Sequence, residues 1–150
     1  MASGFLPSRV AGDIFISLRM FSKAAGTGEA FGDGMGYAVP ELPSERESFS
    51  PDASFYAGTL PVNRMRFIDG PPTFAVEVRS ENDYGDAAKR VDYFAAGTQV
   101  VWDVDPVAET VVCYRASAPE QSSTFRRGDT ADAEPAVPGW RMKVADIFAG

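Results

Sequence analysis

Residues 71–106, PPTFAVEVRSENDYGDAAKRVDYFAAGTQVVWDVDP, restrict the fold more than any other part of this 150-residue chain. Residues 73–79 alternate β-branched and aromatic side chains with others. The alternation predicts a strand with Phe74, Val76 and Val78 on one face and Thr73, Ala75, Glu77 and Arg79 on the other. Residues 80–85, SENDYG, are turn chemistry, with Asn82 and Asp83 as candidate helix caps. Over residues 86–96, Ala88, Val91 and Ala95 recur at i, i+3 and i+7 before Gly97, a residue suited to end a helix. Residues 99–104, QVVWDV, form a second short apolar run. A strand, a helix and a strand of these lengths imply a right-handed parallel crossover, hence an α/β fold. Glu77 breaks the pattern, because a carboxylate in a central strand costs free energy unless it is paired.

The rest of the chain fits around that unit. Residues 8–25 carry Val10, Ile14, Leu18 and Phe21 at helical spacing, widened by Phe15 and Met20, between Ser8 as N-cap and Gly26 as stop. The glycine-punctuated stretch 27–40 is not a phosphate cradle, since no Lys-Ser/Thr pair and no helix start follow it. It predicts a strand over 35–39, followed by a polar loop over 41–47. Residues 48–56 read as a strand with Pro51 and Asp52 at its middle, which marks an edge or an irregularity. Residues 60–70 form a loop bearing Arg64 and Arg66. Beyond Pro106, residues 109–114 predict a strand in an antiparallel hairpin with 99–104. Further short strands are expected at 123–126 and 141–144, a loop over 130–138 and a last helical turn at 144–148.

Composition narrows the chemistry. An apolar fraction of 45% and an aromatic fraction of 12% belong to a globular chain, and its length suits one domain over residues 1–150. No run is long enough for a membrane span and no secretion pattern opens the chain, so a cytoplasmic domain is expected. A single cysteine rules out a disulfide framework, and with no histidine it also rules out the usual zinc sites. The missing histidine also removes Ser-His-Asp and Cys-His catalysis, leaving carboxylate, lysine or tyrosine as bases. A net charge of −7 argues against a broad nucleic-acid surface, though not against a local site neutralised by a divalent cation.

Asp52, Glu77 and Lys89 are the groups that could supply such a site. Magnesium takes oxygen ligands, typically one or two carboxylates plus water and substrate phosphate. Phosphodiester hydrolysis uses that cation to polarise the phosphoryl oxygen and to acidify an attacking water, and a nearby lysine can orient the water or stabilise developing charge. Arg79, two residues after Glu77, shares its face. Structural readings stand beside each of these roles. Pro-Asp is a common turn dipeptide, Glu77 and Arg79 could form a same-face ion pair worth ~0–1 kcal/mol, and Lys89 with Arg90 could be a solvated helix face.

Taken together, SFSPDASFY, PPTFAVEVRSENDYG, AAKRVDYFAAGTQVVWDVDP and the closing PGWRMKVADIF resemble the Uma-two family of "putative restriction endonucleases" in the PD-(D/E)XK nuclease superfamily. The similarity runs from about Leu6 to Phe148. It implies a restriction-endonuclease-like core, a mixed sheet flanked by helices, and a Mg²⁺- or Mn²⁺-dependent site cleaving nucleic acid, DNA first. On the matching positions Asp52 is the Asp of the PD motif and Glu77 the acidic residue of the second motif, the two metal ligands. Arg79 stands where the superfamily has lysine, and Lys89 in the K-x-x-x-Y block, followed by Tyr93, is the substitute. Two rival expectations follow: an inactive member of the fold acting as a binding module, or an oligomerisation domain whose exposed strand edges favour a homodimer.

Overall fold

The alternation in FAVEV does set the centre of the molecule. The computed structural model describes residues 2–81 and 86–149. In order the elements are α1 (Phe5–Ala25), β1 (Glu29–Phe31), β2 (Tyr37–Ala38), β3 (Ser48–Phe49), β4 (Ala53–Tyr56), β5 (Ile68–Asp69) and β6 (Phe74–Val78). They continue with α2 (Ala87–Ala96), β7 (Val100–Asp105), β8 (Thr110–Arg115), β9 (Ala118–Phe125), β10 (Thr130–Asp132), β11 (Arg141–Lys143) and α3 (Val144–Ile147). Six strands form a mixed sheet in the order β1-β4-β6-β7-β8-β9. Within this sheet, among the described residues, only β6 and β7 pair in parallel, with Phe74 opposite Val100 and Glu77 opposite Asp103; its other ladders are antiparallel. The crossover and the hairpin of β7 with β8 are therefore as expected.

The sheet divides the core in two. Phe74, Val76 and Val78 face α1, whose Val10, Ile14 and Leu18 are buried against them together with Trp102 and Trp140. On the other face Ala75 and Val101 meet Tyr37, Phe49 and Tyr93, contributed by a small sheet in the order β3-β2-β5 and by α2. Each face of the sheet thus has a helix, and the period-two pattern of β6 is satisfied on both sides. Among the described residues, no helix is long and apolar enough to cross a membrane.

Several expectations change. Helix α1 starts at Phe5 after Gly4, not at a Ser8 cap. Pro7 falls in the first turn, where the missing N–H has no intrahelical acceptor to lose. Met20, expected on the apolar face, is exposed, while Phe15 and Phe21 pack partly against the core. The single strand expected over 48–56 is two strands in different sheets: β3 pairs with β2, whereas β4 pairs with β1 and β6. Pro51 between them lacks the N–H that a continuous ladder needs. Residues 130–132, expected as loop, pair with β11 as β10. Helix α2 ends at Gly97 as expected (φ 115°), but its cap is Asp86, whose carboxylate accepts from the Lys89 amide at 2.9 Å. The candidate caps Asn82 and Asp83 lie outside the described residues.

The inward face of α2 differs most. Ala88, Val91 and Ala95 point to solvent, with Val91 66% exposed, and the buried residues are Asp92 and Tyr93. Alanine contributes little to an apolar stripe, so its spacing competes weakly. Polar side chains take the inner face because partners are waiting for them there.

Candidate active site

The site lies at the carboxyl end of β6, where β4 begins beside it. The β4–β6 ladder pairs Ala53 with Val76, and the Asp52 amide still donates to the Val76 carbonyl at 3.0 Å. That bond is one residue out of the ladder's register, so regular pairing stops at Ala53 and Val76. There the backbone ladder stops and a side chain takes over: Asp52 Oδ2 accepts the Val78 amide at 2.7 Å. Pro51 enforces the change, so the proline that interrupts the strand also fixes the carboxylate at its end.

Glu77 points to the α2 face of the sheet. Lys89 Nζ donates to its Oε1 at 3.1 Å, and the Tyr93 hydroxyl donates to its Oε2 at 2.6 Å. Lys89 and Tyr93 are four residues apart, one above the other on a helix, so α2 delivers both to one carboxylate. The Glu77 side chain remains 26% exposed. Burial nevertheless pushes its carboxyl above the ordinary range; Lys89 and the Tyr93 hydrogen bond pull it back in part, and Asp52 pushes it further up. Burial, and next the charge of Glu77, raise the Tyr93 phenol well above its usual value, so Tyr93 stays protonated and can only donate to Glu77 at neutral pH.

Arg79 does not pair with Glu77. Its Nε and Nη2 grip Asp103 in a fork, each bond 2.9 Å, and its Nη1 lies 3.8 Å from Asp105. The Asp103 side chain is only 8% exposed, and Arg90 adds a second cation at 3.9 Å while stacking over Tyr114. Glu77 and Asp103 are thus neighbouring carboxylates on two central strands, each neutralised by its own cations. A cavity of about 170 Å³ opens between them, lined by Glu77, Arg79, Asp86, Lys89, Tyr93 and Asp103 among others. Asp52 opens onto an adjacent cavity beside α1 that also includes Asp33, and Val78 lines both.

The structure therefore brings Lys89 to Glu77, leaves Asp52 at the strand end facing the adjacent cavity, and turns Arg79 to Asp103. Sequence reasoning left Tyr93, Asp103 and Asp86 without a role. For Tyr93 the four-residue spacing from Lys89 was the available signal. For Asp103 it was the one already applied to Glu77, a carboxylate inside an apolar strand.

Among the described residues, no group of three or more Asp, Glu, His or Cys could hold a metal ion, which leaves the oxygens of Asp52 and Glu77 as the donor set to weigh. That set fits magnesium or manganese, which take hard oxygen donors and keep several waters. It also fits the electrostatics, because a cation relieves the burial that makes ionised Glu77 costly.

Comparison with known proteins gives the family and the fold. The model of the Uma2 family, described as "Putative restriction endonuclease", matches residues 1–145. The chain belongs to the Uma2 family. Its fold is similar to the crystal structure of "a putative nuclease belonging to DUF820" from Anabaena variabilis ATCC 29413. That match has a TM-score of 0.77 and 19% identity, and covers 99% of this chain and 82% of that one. No curated protein matches the chain.

Proposed function

We propose that this Uma2 member is a cytoplasmic, metal-dependent endonuclease that hydrolyses DNA phosphodiester bonds, built as one domain over residues 1–150. The observation that carries the reading is the meeting of strand and helix at Glu77: a half-buried carboxylate that feels the charge of Asp52, with the Lys89 ammonium 3.1 Å away. In this reading Asp52 and Glu77 hold Mg²⁺ or Mn²⁺. When bound, the cation supplies positive charge against the phosphoryl group and acidifies an attacking water. The protein's own groups do the rest. The Val78 amide fixes one oxygen of Asp52 and with it the carboxylate's orientation. Tyr93 fixes the orientation of Glu77 and, held protonated, takes no proton from the water. Lys89 lies close enough to orient the water or to balance charge on the phosphate as the bond breaks. Arg79 is assigned the role of phosphate positioning through Asp103, with which it forms one rim of the cavity.

A second reading, a catalytically inactive member acting as a binding or oligomerisation module, draws on one observation. Both oxygens of Glu77 already have protein partners, and a closed ion pair of this kind can be structural. Cleavage of supercoiled DNA with Mg²⁺ or Mn²⁺ separates the two readings. Wild type should nick the DNA only with metal, and Glu77→Ala should lower the rate about 100-fold or more with the fold retained. Cleavage unchanged in Glu77→Ala would sink the assignment, and an inert wild type would leave the second reading.

A further inference from the structure

Helix α2 carries Lys89 and Tyr93 to Glu77, yet little of it is anchored. Of its ten residues only Asp92 and Tyr93 are buried. A helix this short does not hold itself in place, so its contacts must. On one side Arg90 reaches Tyr114 and Asp103. On the other, the loop before β3 reaches over to Asp92. Ser44 Oγ and Arg46 Nε both donate to Asp92 Oδ2, at 3.0 and 2.9 Å. The loop is itself fixed: the Leu42 amide bonds the Arg46 carbonyl at 2.9 Å and the Val39 amide bonds the Glu47 carbonyl at 2.9 Å.

A second route runs from the same arginine. Its guanidinium lies 5.3 Å from the Phe49 ring centre, and Phe49 stacks on Tyr93 with centroids 4.2 Å apart and planes 15° from parallel. Tyr93 then bonds Glu77. An exposed ion pair contributes little, but Asp92 is 7% exposed, so its charge requires a partner. Arg46, with its side chain 32% exposed, is the cation that reaches it.

We propose that Arg46 and Asp92 are positioning residues: the clamp they form seats α2 so that Lys89 and Tyr93 reach Glu77. Their importance to cleavage rests on the nuclease reading above; their action on α2 does not.

Hydrogen exchange on wild type, Arg46→Ala and Asp92→Asn tests the clamp without an activity assay. In both variants the α2 amides should exchange about tenfold faster or more, while those of β6 and β7 keep their protection. Should Asp92→Asn fail to fold, Arg46→Lys takes its place; it keeps the charge and should give intermediate exchange. Exchange of α2 in Arg46→Ala equal to wild type overturns the clamp. With cleavage in hand, Arg46→Ala should lower kcat and leave KM unchanged. Its effect should be less than additive with that of Tyr93→Phe, because the two act along one chain of contacts. Additive effects would also overturn it. A wild type that cleaves nothing would remove the nuclease reading, yet the exchange result would still decide the clamp.

Discussion

Glu77 sets two physical effects against each other. Lys89 and Tyr93 favour its ionised form, but burial is the larger cause and its carboxyl lies above the ordinary range. Because the folded value is raised, the stability this group contributes is fully present below the unfolded value, about 4.3. It is lost as pH rises through the folded value. Without metal, the Tm of wild type should therefore fall relative to that of Glu77→Gln across this window, since glutamine binds no proton there. Parallel curves would remove the buried-charge account. A divalent cation acts in the opposite sense, because a carboxylate ligand must be ionised to bind it. The Mg²⁺-induced rise in Tm should be small below the folded pKa and grow above it. At 100 times the dissociation constant the stabilisation behind it reaches about 2.7 kcal/mol, and the rise should vanish in Glu77→Gln. An equal rise in both proteins would place the ion elsewhere.

At the scale of elements, α2 depends on its first turn. Asp86 caps it through the Lys89 amide, so the cap holds the backbone of the residue whose ammonium meets Glu77. Asp86→Ala should cost about 1 kcal/mol in urea unfolding, and Asp86→Asn, which keeps the acceptor, should cost little. Equal losses in the two variants would mean that the charge matters and the cap does not. The same helix marks how far the sequence can be read. Strands β6 and β7 were legible because alternation and terminating residues agree, and Gly97 because a left-handed residue ends the helix cleanly. Glu77 was legible as a carboxylate where none is expected. The face α2 turns inward was not, because it is chosen by partners distant in sequence, Glu77 and Arg46, and not by an apolar stripe. The partner that Arg79 takes was not legible for a related reason. Side chains on one strand face compete for the neighbouring strand, and Asp103, with two arginines in reach, holds Arg79 more firmly than Glu77 could. The split of residues 48–56 between two sheets was half legible, since Pro51 signals a break but cannot say where the chain goes next.

For the whole molecule, the sheet separates what stabilises the fold from what forms the site. On the α1 face buried Trp140 packs against both Trp102 and Phe74, with centroids 5.0 and 5.8 Å away, and its Nε1 donates to Ser17 Oγ on α1 at 3.0 Å. One ring thus ties the N-terminal helix, two central strands and the C-terminal segment together. Glu77, Lys89 and Tyr93 meet across the sheet, where Tyr93 and Phe49 belong to a separate cluster, while Asp52 opens toward α1. Removing a buried tryptophan typically costs about 3–5 kcal/mol, so Trp140→Ala should lower the midpoint of urea unfolding by that equivalent. Below its own melting temperature it should still respond to Mg²⁺ as wild type does, because the contacts of Glu77 with Lys89 and Tyr93 are made on the other face of the sheet. Loss of the Mg²⁺ response in a Trp140→Ala protein that remains folded would mean that the two faces are coupled through β6. The central strand would then transmit packing on one side to Glu77 on the other. A stability loss below about 1 kcal/mol would instead show that α1 and the C-terminal segment are held by contacts other than this ring.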